Sequence, residues 1–162
     1  MSVIIPPSPM LVFYPELCPG SARLRSFVDW WAAKGPFPIK LLRGNTTDAE
    51  QAKLYGQGRW LPGTIVTNAK KASQSAHGHG AAIDAAPVRE LFSNGKVRRI
   101  YLGDETEPAV RTEALARYRT YADIAERQFG LQSGRDFPGL SDWPHLQEPE
   151  WESLPLVDGV SP

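Results

Sequence analysis

The chain has 162 residues, enough for one domain with a sizeable core and too few for two of ordinary size. Its 18 Lys+Arg balance 18 Asp+Glu, so the formal charge is zero and the basic surplus that a polyanionic partner calls for is missing, which argues against nucleic acid. Cys18 has no second cysteine to pair with, which excludes an intrachain disulfide, and no apolar run nears the ~20 residues of a membrane span.

In chain order, residues 1–20 carry five prolines and are expected to form an irregular arm. Met1–Leu11 has no basic stretch and is broken by Pro6, Pro7 and Pro9, so it does not read as a signal peptide. The expectation is a soluble protein made in the cytoplasm, with any extracytoplasmic target reached by other means. Ser21 is a candidate N-cap, after which Leu24, Phe27, Val28 and Trp31 recur at helical spacing until Gly35. Trp30 and Trp31 read as packing rather than as a ligand platform. Ile39–Leu42 predicts a strand that delivers Arg43 into a loop. Thr47-Asp48-Ala49-Glu50 is a capping box that opens a second helix, with Leu54 and Tyr55 facing inward and Gly58 as its stop.

A loop with Arg59, Trp60, Pro62 and Gly63 follows, then β-branched Thr64-Ile65-Val66-Thr67, a strand or extended lead-in. Asn68–Gln74 reads as a polar loop. From Gly80 a short apolar run, broken by Asp84 and ending at Pro87, predicts a buried strand. Ser93-Asn94-Gly95-Lys96 is a turn signal, and Val97–Leu102 a short strand or extended segment. Pro108 suits the first turn of a long scaffold helix whose apolar face is Val110, Ala114, Tyr118, Tyr121, Ala122, Ala125 and Phe129, with Gly130 as its stop. Leu131–Gly139 returns the chain toward Asp142, and residues 149–162 read as an irregular tail. This order of elements is α+β within a single domain spanning 1–162.

Ser73–Asp84 gathers two imidazoles and a carboxylate among residues too small to have been placed there for packing. Neutral His and ionised Asp can ligate a first-row metal without thiolates. Glycines at 78 and 80 allow a tight bend between His77 and Asp84. A carboxylate in a buried strand costs several kcal/mol, roughly, unless it is paired or metal-bound, so Asp84 needs a partner. Downstream, Pro144 drives Trp143 out of helical geometry, which puts Asp142 and His145 on an extended turn entering a strand and excludes a zinc-helix motif of the HExxH kind.

The pattern SxHxxGxAxD is met by Ser75, His77, Gly80, Ala82 and Asp84, and DxPH by Asp142, Pro144 and His145. Both resemble the zinc peptidases of the lysostaphin, D-Ala-D-Ala metallopeptidase and hedgehog group. Gln51-Ala52-Lys53-Leu54-Tyr55-Gly56-Gln57-Gly58-Arg59 with Pro62–Thr67 is similar to the branch of phage L-alanyl-D-glutamate endolysins and CwlK-like wall peptidases, and the likeness runs from about Arg43 to Gln147. It implies a metallopeptidase domain, a small antiparallel sheet carrying the site with helices packed behind it.

On that likeness His77, Asp84 and His145 are the ligands of one zinc ion, leaving a fourth position for water, which the ion acidifies to a pKa of about 7. Asp142 is the candidate general base and acid. The family's oxyanion-stabilising Arg falls on Arg43, although the interval Gly44–Glu50 looks about three residues longer than usual. Arg59 is a weaker substitute. Ser75 would orient a ligand or hold substrate backbone, and Trp143 stands beside the site. Spacing to Asp84 favours His77 over His79, a position the family leaves variable, so His79 is expected at the rim or behind the ligands.

The activity implied is hydrolysis of peptidoglycan stem peptides in the bacterial cell wall by a monomeric enzyme, delivered by a holin if it is a phage lysin. An L-alanyl-D-glutamate endopeptidase is favoured over a D-alanyl-D-alanine carboxypeptidase. A zinc-containing binding module without activity is a second class, against which Asp142 speaks. A non-haem iron oxygenase would bring its first His and carboxylate closer together on a β-rich scaffold.

Overall fold

The computed structural model describes residues 21–162, so the expected N-terminal arm and Cys18 lie outside the described residues. Helix α1 (Ala22–Lys34) begins after Ser21, which occupies the N-cap position while its buried hydroxyl makes no capping bond. Its periodic residues Leu24, Phe27, Val28 and Trp31 are fully buried. Each such side chain removed from water contributes about 1.5–3 kcal/mol. Helix α3 (Pro108–Phe129) starts with Pro108 in its first turn and stops at Gly130 in the left-handed conformation, as the sequence signals require. Its buried face is Val110, Ala114, Tyr118, Tyr121, Ala122 and Ala125, with Phe129 at the margin. Where α1 meets α3, Phe27, Trp31 and Tyr121 pack edge-on or tilted at 5.5–5.7 Å, and the Trp31 indole N–H donates to the Phe37 carbonyl. Both tryptophans of α1 are therefore packing residues.

The core face of the sheet lies against these helices. Strands β1 (Ile39–Arg43), β2 (Ala82–Leu91), β4 (Gln132–Gly134) and β5 (Asp142–Gln147) are antiparallel in the order β1-β2-β5-β4, and β3 (Val97–Ile100) pairs with the distal half of β2. Ile39, Leu41, Ile83, Ala85 and Leu146 are buried in the core. By strand alternation the residues between them take the other face. The register puts Asp84 opposite Arg43 on one side and opposite His145 on the other. Helix α3 also reaches the strand that carries the downstream histidine, through the Tyr121 hydroxyl, which donates to the Pro144 carbonyl at 3.1 Å.

Several local expectations are corrected. Strand β2 does not end at Pro87 but runs to Leu91, because Pro87 sits where its partners change: Ile39 stands opposite Pro87 and the Val88–Ile100 pair opens the ladder to β3. The Ser93–Lys96 turn closes that hairpin, with Gly95 at φ 74°. Strand β3 stops at Ile100, short of Leu102. Of the two forms expected for Thr64–Thr67, a strand or an extended lead-in, the strand is not formed, and Ile65 and Val66 are exposed. Helix α2 (Asp48–Gly56) has the complete capping box of Thr47 and Glu50 but ends two residues before Gly58. Its inward residue is Gln51, whereas Leu54 and Tyr55 are half-buried, because the helix packs on a polar loop rather than on the apolar core. Gln51 donates to the Ala69 carbonyl at 2.6 Å and so ties that loop down.

The tail is also more ordered in its contacts than expected. Residues 151–153 form a 3₁₀ turn, the Val157 N–H donates to Gly78 O, and Asp48 N–H donates to Gly159 O. The chain after β5 thus straps the turn that bears His77 to the start of α2.

Candidate metal centre

His77 stands on a 3₁₀ turn (Ala76–His79) rather than on the strand itself. Ser75 caps this turn, its Oγ accepting the His77 N–H at 3.3 Å. Gly78 lies so close to Ala72 that a Cβ would come within 2.0 Å of its carbonyl oxygen, and Gly80 closes the turn at φ 62°, a left-handed conformation. These are the two glycines that allow the chain to double back into β2. His77 is fixed from behind: its Nδ1 lies 2.6 Å from the Gly44 carbonyl, an acceptor, so Nδ1 carries the proton and Nε2 keeps its lone pair. The long interval after Arg43 supplies that carbonyl, and Thr46 N–H in the same loop donates to His77 O.

The lone pair of Nε2 points at Asp84. Nε2 is 3.2 Å from Asp84 Oδ1, His145 Nδ1 is 3.0 Å from the same oxygen, and the three donor atoms lie within 4.8 Å of one another. His77 Nε2 is buried and has no aligned hydrogen bond of its own. Ligand atoms about 2.0–2.1 Å from a tetrahedral ion stand roughly 3.3 Å apart, so an orphaned nitrogen, a carboxylate and a second nitrogen at these separations fit a divalent first-row ion. His77, Asp84 and His145 are therefore brought together into a buried group able to hold a metal ion.

Charge in the group is finely divided. Burial pushes the Asp84 carboxyl up, but His77, the His145 hydrogen bond and Arg43 outweigh it and hold the group well below the usual carboxylate range. Burial lowers His77, in keeping with a neutral ring. Burial would also lower His145, yet the Asp84 carboxylate and the Gln147 acceptor outweigh it and raise the ring above its ordinary value. Asp142, the first residue of β5, is half-buried; burial, and then the Asp84 charge, raise its carboxyl above the ordinary value.

Arg43 ends β1 with its Nε 3.1 Å from Asp84 Oδ2, an ion pair without hydrogen-bond alignment, so the longer interval after it has not carried it away from the His77, Asp84 and His145 group. Trp143 packs beside Tyr118 and borders a cavity of about 650 Å³ with Leu102, Asp104 and Ile65. A second cavity of about 280 Å³, bordered by Ser75, Phe137 and Trp151, meets the first at Arg43, Val66, Leu140 and Asp142. The donor group therefore lies along a continuous recess with room on either side of Asp142.

Arg59 and His79 are placed elsewhere. The Arg59 guanidinium donates to Tyr55 O and Thr67 O and lies over the Tyr55 ring at 3.9 Å, anchoring the loop that walls the recess. His79 turns away from the ligands: its nitrogens face Leu154 O at 2.6 Å and Ser73 O at 3.0 Å, and its ring packs on Trp151. His79→Ala is expected to leave metal binding intact and to destabilise the protein by about 2 kcal/mol, the scale of stranding buried carbonyls, read from the denaturation midpoint. Loss of the bound metal in that variant would instead make His79 a ligand. Sequence reasoning missed Gln147, whose Oε1 is 2.8 Å from His145 Nε2. Its position two residues beyond a ligand on the same strand was the available signal.

The fold and site define a small α+β domain in which an antiparallel sheet carries a buried His/Asp/His group. No family model matches the sequence. Among solved structures the chain is similar to the L-Ala D-Glu endopeptidase ChiX of Serratia marcescens, with a TM-score of 0.48 and 18% identity, over 79% of this chain and 80% of that one. Among the described residues no helix is long and apolar enough to cross a membrane.

Proposed function

We propose that this protein is a zinc-dependent peptidoglycan hydrolase that cleaves stem peptides, with the L-alanyl-D-glutamate bond as its target. The observation that carries the reading is the convergence of His77, Asp84 and His145 beside Asp142, in a recess that extends both ways from them. Room on both sides suits a bond inside a peptide better than a terminal residue, which favours an endopeptidase over a carboxypeptidase. The motif likeness to wall peptidases supplies the substrate class. No charge surplus suits a nucleic acid, and the active species is proposed to be a monomer acting at the cell wall.

His77 and His145 would hold the ion through Nε2 and Nδ1, with Asp84 as the anionic ligand. Bound there, zinc supplies a water acidified to a pKa of about 7 and polarises the scissile carbonyl. Asp142, with a carboxyl raised by burial, accepts the proton of the attacking water and returns it to the departing amine. Arg43 places a positive charge next to the ligands, where it can share the negative charge that grows on the carbonyl oxygen. Ser75 holds the His77 turn, and Trp143 forms part of the wall against which substrate lies.

The test is digestion of purified peptidoglycan by zinc-loaded protein, with mass spectrometry of the released muropeptides. New amino termini on D-glutamate are expected. Release of terminal D-alanine would replace this reading by a carboxypeptidase. Tight retention of peptidoglycan with no new termini would make the protein a binding module.

A further inference from the structure

A metal can use an imidazole nitrogen only when that nitrogen carries no proton, and His145 has two candidates. Nδ1 faces Asp84 and belongs to the donor group, while Nε2 faces Gln147 Oε1 at 2.8 Å. An amide oxygen accepts and cannot donate, so Nε2 carries a proton toward it, and Nδ1, beside the Asp84 carboxylate, is the nitrogen at which a metal ion can take the place of a proton. What decides that Gln147 shows its oxygen is its other end, since Nε2 of its amide donates to Gln132 Oε1 at 2.9 Å. If both amides turned over together, Gln147 would offer a donor to His145. The ring proton would then move to Nδ1 and close the metal position.

Strand register builds this row. His145 and Gln147 share a face of β5 by the two-residue repeat, Asp84 stands opposite His145, and Gln132 stands opposite Gln147. His77 is fixed by a backbone carbonyl, which no side-chain substitution can reverse. His145 is fixed by side chains, which a substitution can.

We infer that Gln147, itself oriented by Gln132, is a positioning residue that accepts the Nε2 proton of His145, keeps Nδ1 as the nitrogen open to the ion and thereby sets the metal affinity of the site. The inference rests on His145 being a ligand, and not on which bond is cleaved. Zinc affinity, measured by competition with a chromophoric chelator, is expected to fall about 10–100-fold in Gln147→Leu, the range for lost partners of metal-bound histidines. Gln147→Glu keeps an acceptor and is expected to stay within about threefold of the unaltered protein. Gln132→Leu, at an exposed position, is expected to lose about threefold to tenfold with its fold intact.

The second readout is proton–nitrogen NMR of the imidazoles in zinc-loaded protein. A His145 Nε2–H signal shifted downfield by its bond to Gln147 in the unaltered protein, and moved upfield or lost to solvent exchange in Gln147→Leu, supports the inference. Zinc affinity in both Leu variants within twofold of the unaltered protein would overturn it, as would an unchanged Nε2–H signal in Gln147→Leu. Because these readouts are affinity and a ring-proton signal, they decide the point whether or not peptidoglycan is cleaved.

Discussion

Asp142→Asn is expected to lower peptidoglycan hydrolysis by about 10²–10⁴-fold, the range typical of losing a positioned acid or base, while zinc still binds within a few-fold of its original affinity. The asparagine keeps the shape and the strand position but cannot take a proton. Asp142 is half-buried and borders both cavities, which places it along the recess proposed to take the substrate. Its carboxyl, raised by burial and the Asp84 charge, lies nearer to neutrality than an exposed aspartate, which suits the proposed return of a proton to the amine. Release of new amino termini from peptidoglycan at the original rate by Asp142→Asn would remove this residue from the mechanism.

Asp84→Asn is expected to cost more than activity. It removes the anionic ligand, and zinc affinity is expected to fall by more than about 100-fold, beyond the loss typical of replacing an outer partner. It also takes the counter-charge from His145 and Arg43, and breaking a buried charged group in this way costs about 3–5 kcal/mol in the metal-free protein. The sign with pH follows from the direction of the Asp84 shift. Its carboxyl is held below the value it has in the unfolded chain, so its contribution is fully present above about pH 4 and is lost as pH falls through the folded value. Chemical denaturation of the two zinc-free proteins should therefore show the largest gap near neutrality and a narrowing gap in acid. Equal stability at pH 7 would mean that the carboxylate is not a net stabilising charge.

Gln51 shows where local pattern misleads. The helix that contains it is legible from its capping box, but hydrophobicity points its inward face to Leu54 and Tyr55. The helix packs instead on the polar loop held by Gln51 and Arg59, and that choice of neighbour is a tertiary matter. Arg59 and His79 carried functional expectations for the same reason. Each is a polar side chain close in sequence to the site, and each is spent on backbone carbonyls that only the folded chain brings near: Thr67 O for Arg59, Leu154 O for His79. Pro87 misled in another way, because a residue without an N–H ends a strand only if a partner needs that donor.

What the sequence by itself determined is the chemistry and its local frame. Small residues and glycines around His77, the strand that bears Asp84, the extended Asp142–His145 segment and the apolar stripe of α3 are all written in spacings of a few residues, where propensity and periodicity act directly. What only the tertiary structure decided is how those pieces face one another. The Arg43–Asp84 pair, the Gly44 carbonyl behind His77, the amide row of Gln132 and Gln147 and the strap formed by the tail all depend on strand register and on contacts between distant segments. Those are selected by the joint burial of the whole core, and no local pattern in the chain records them.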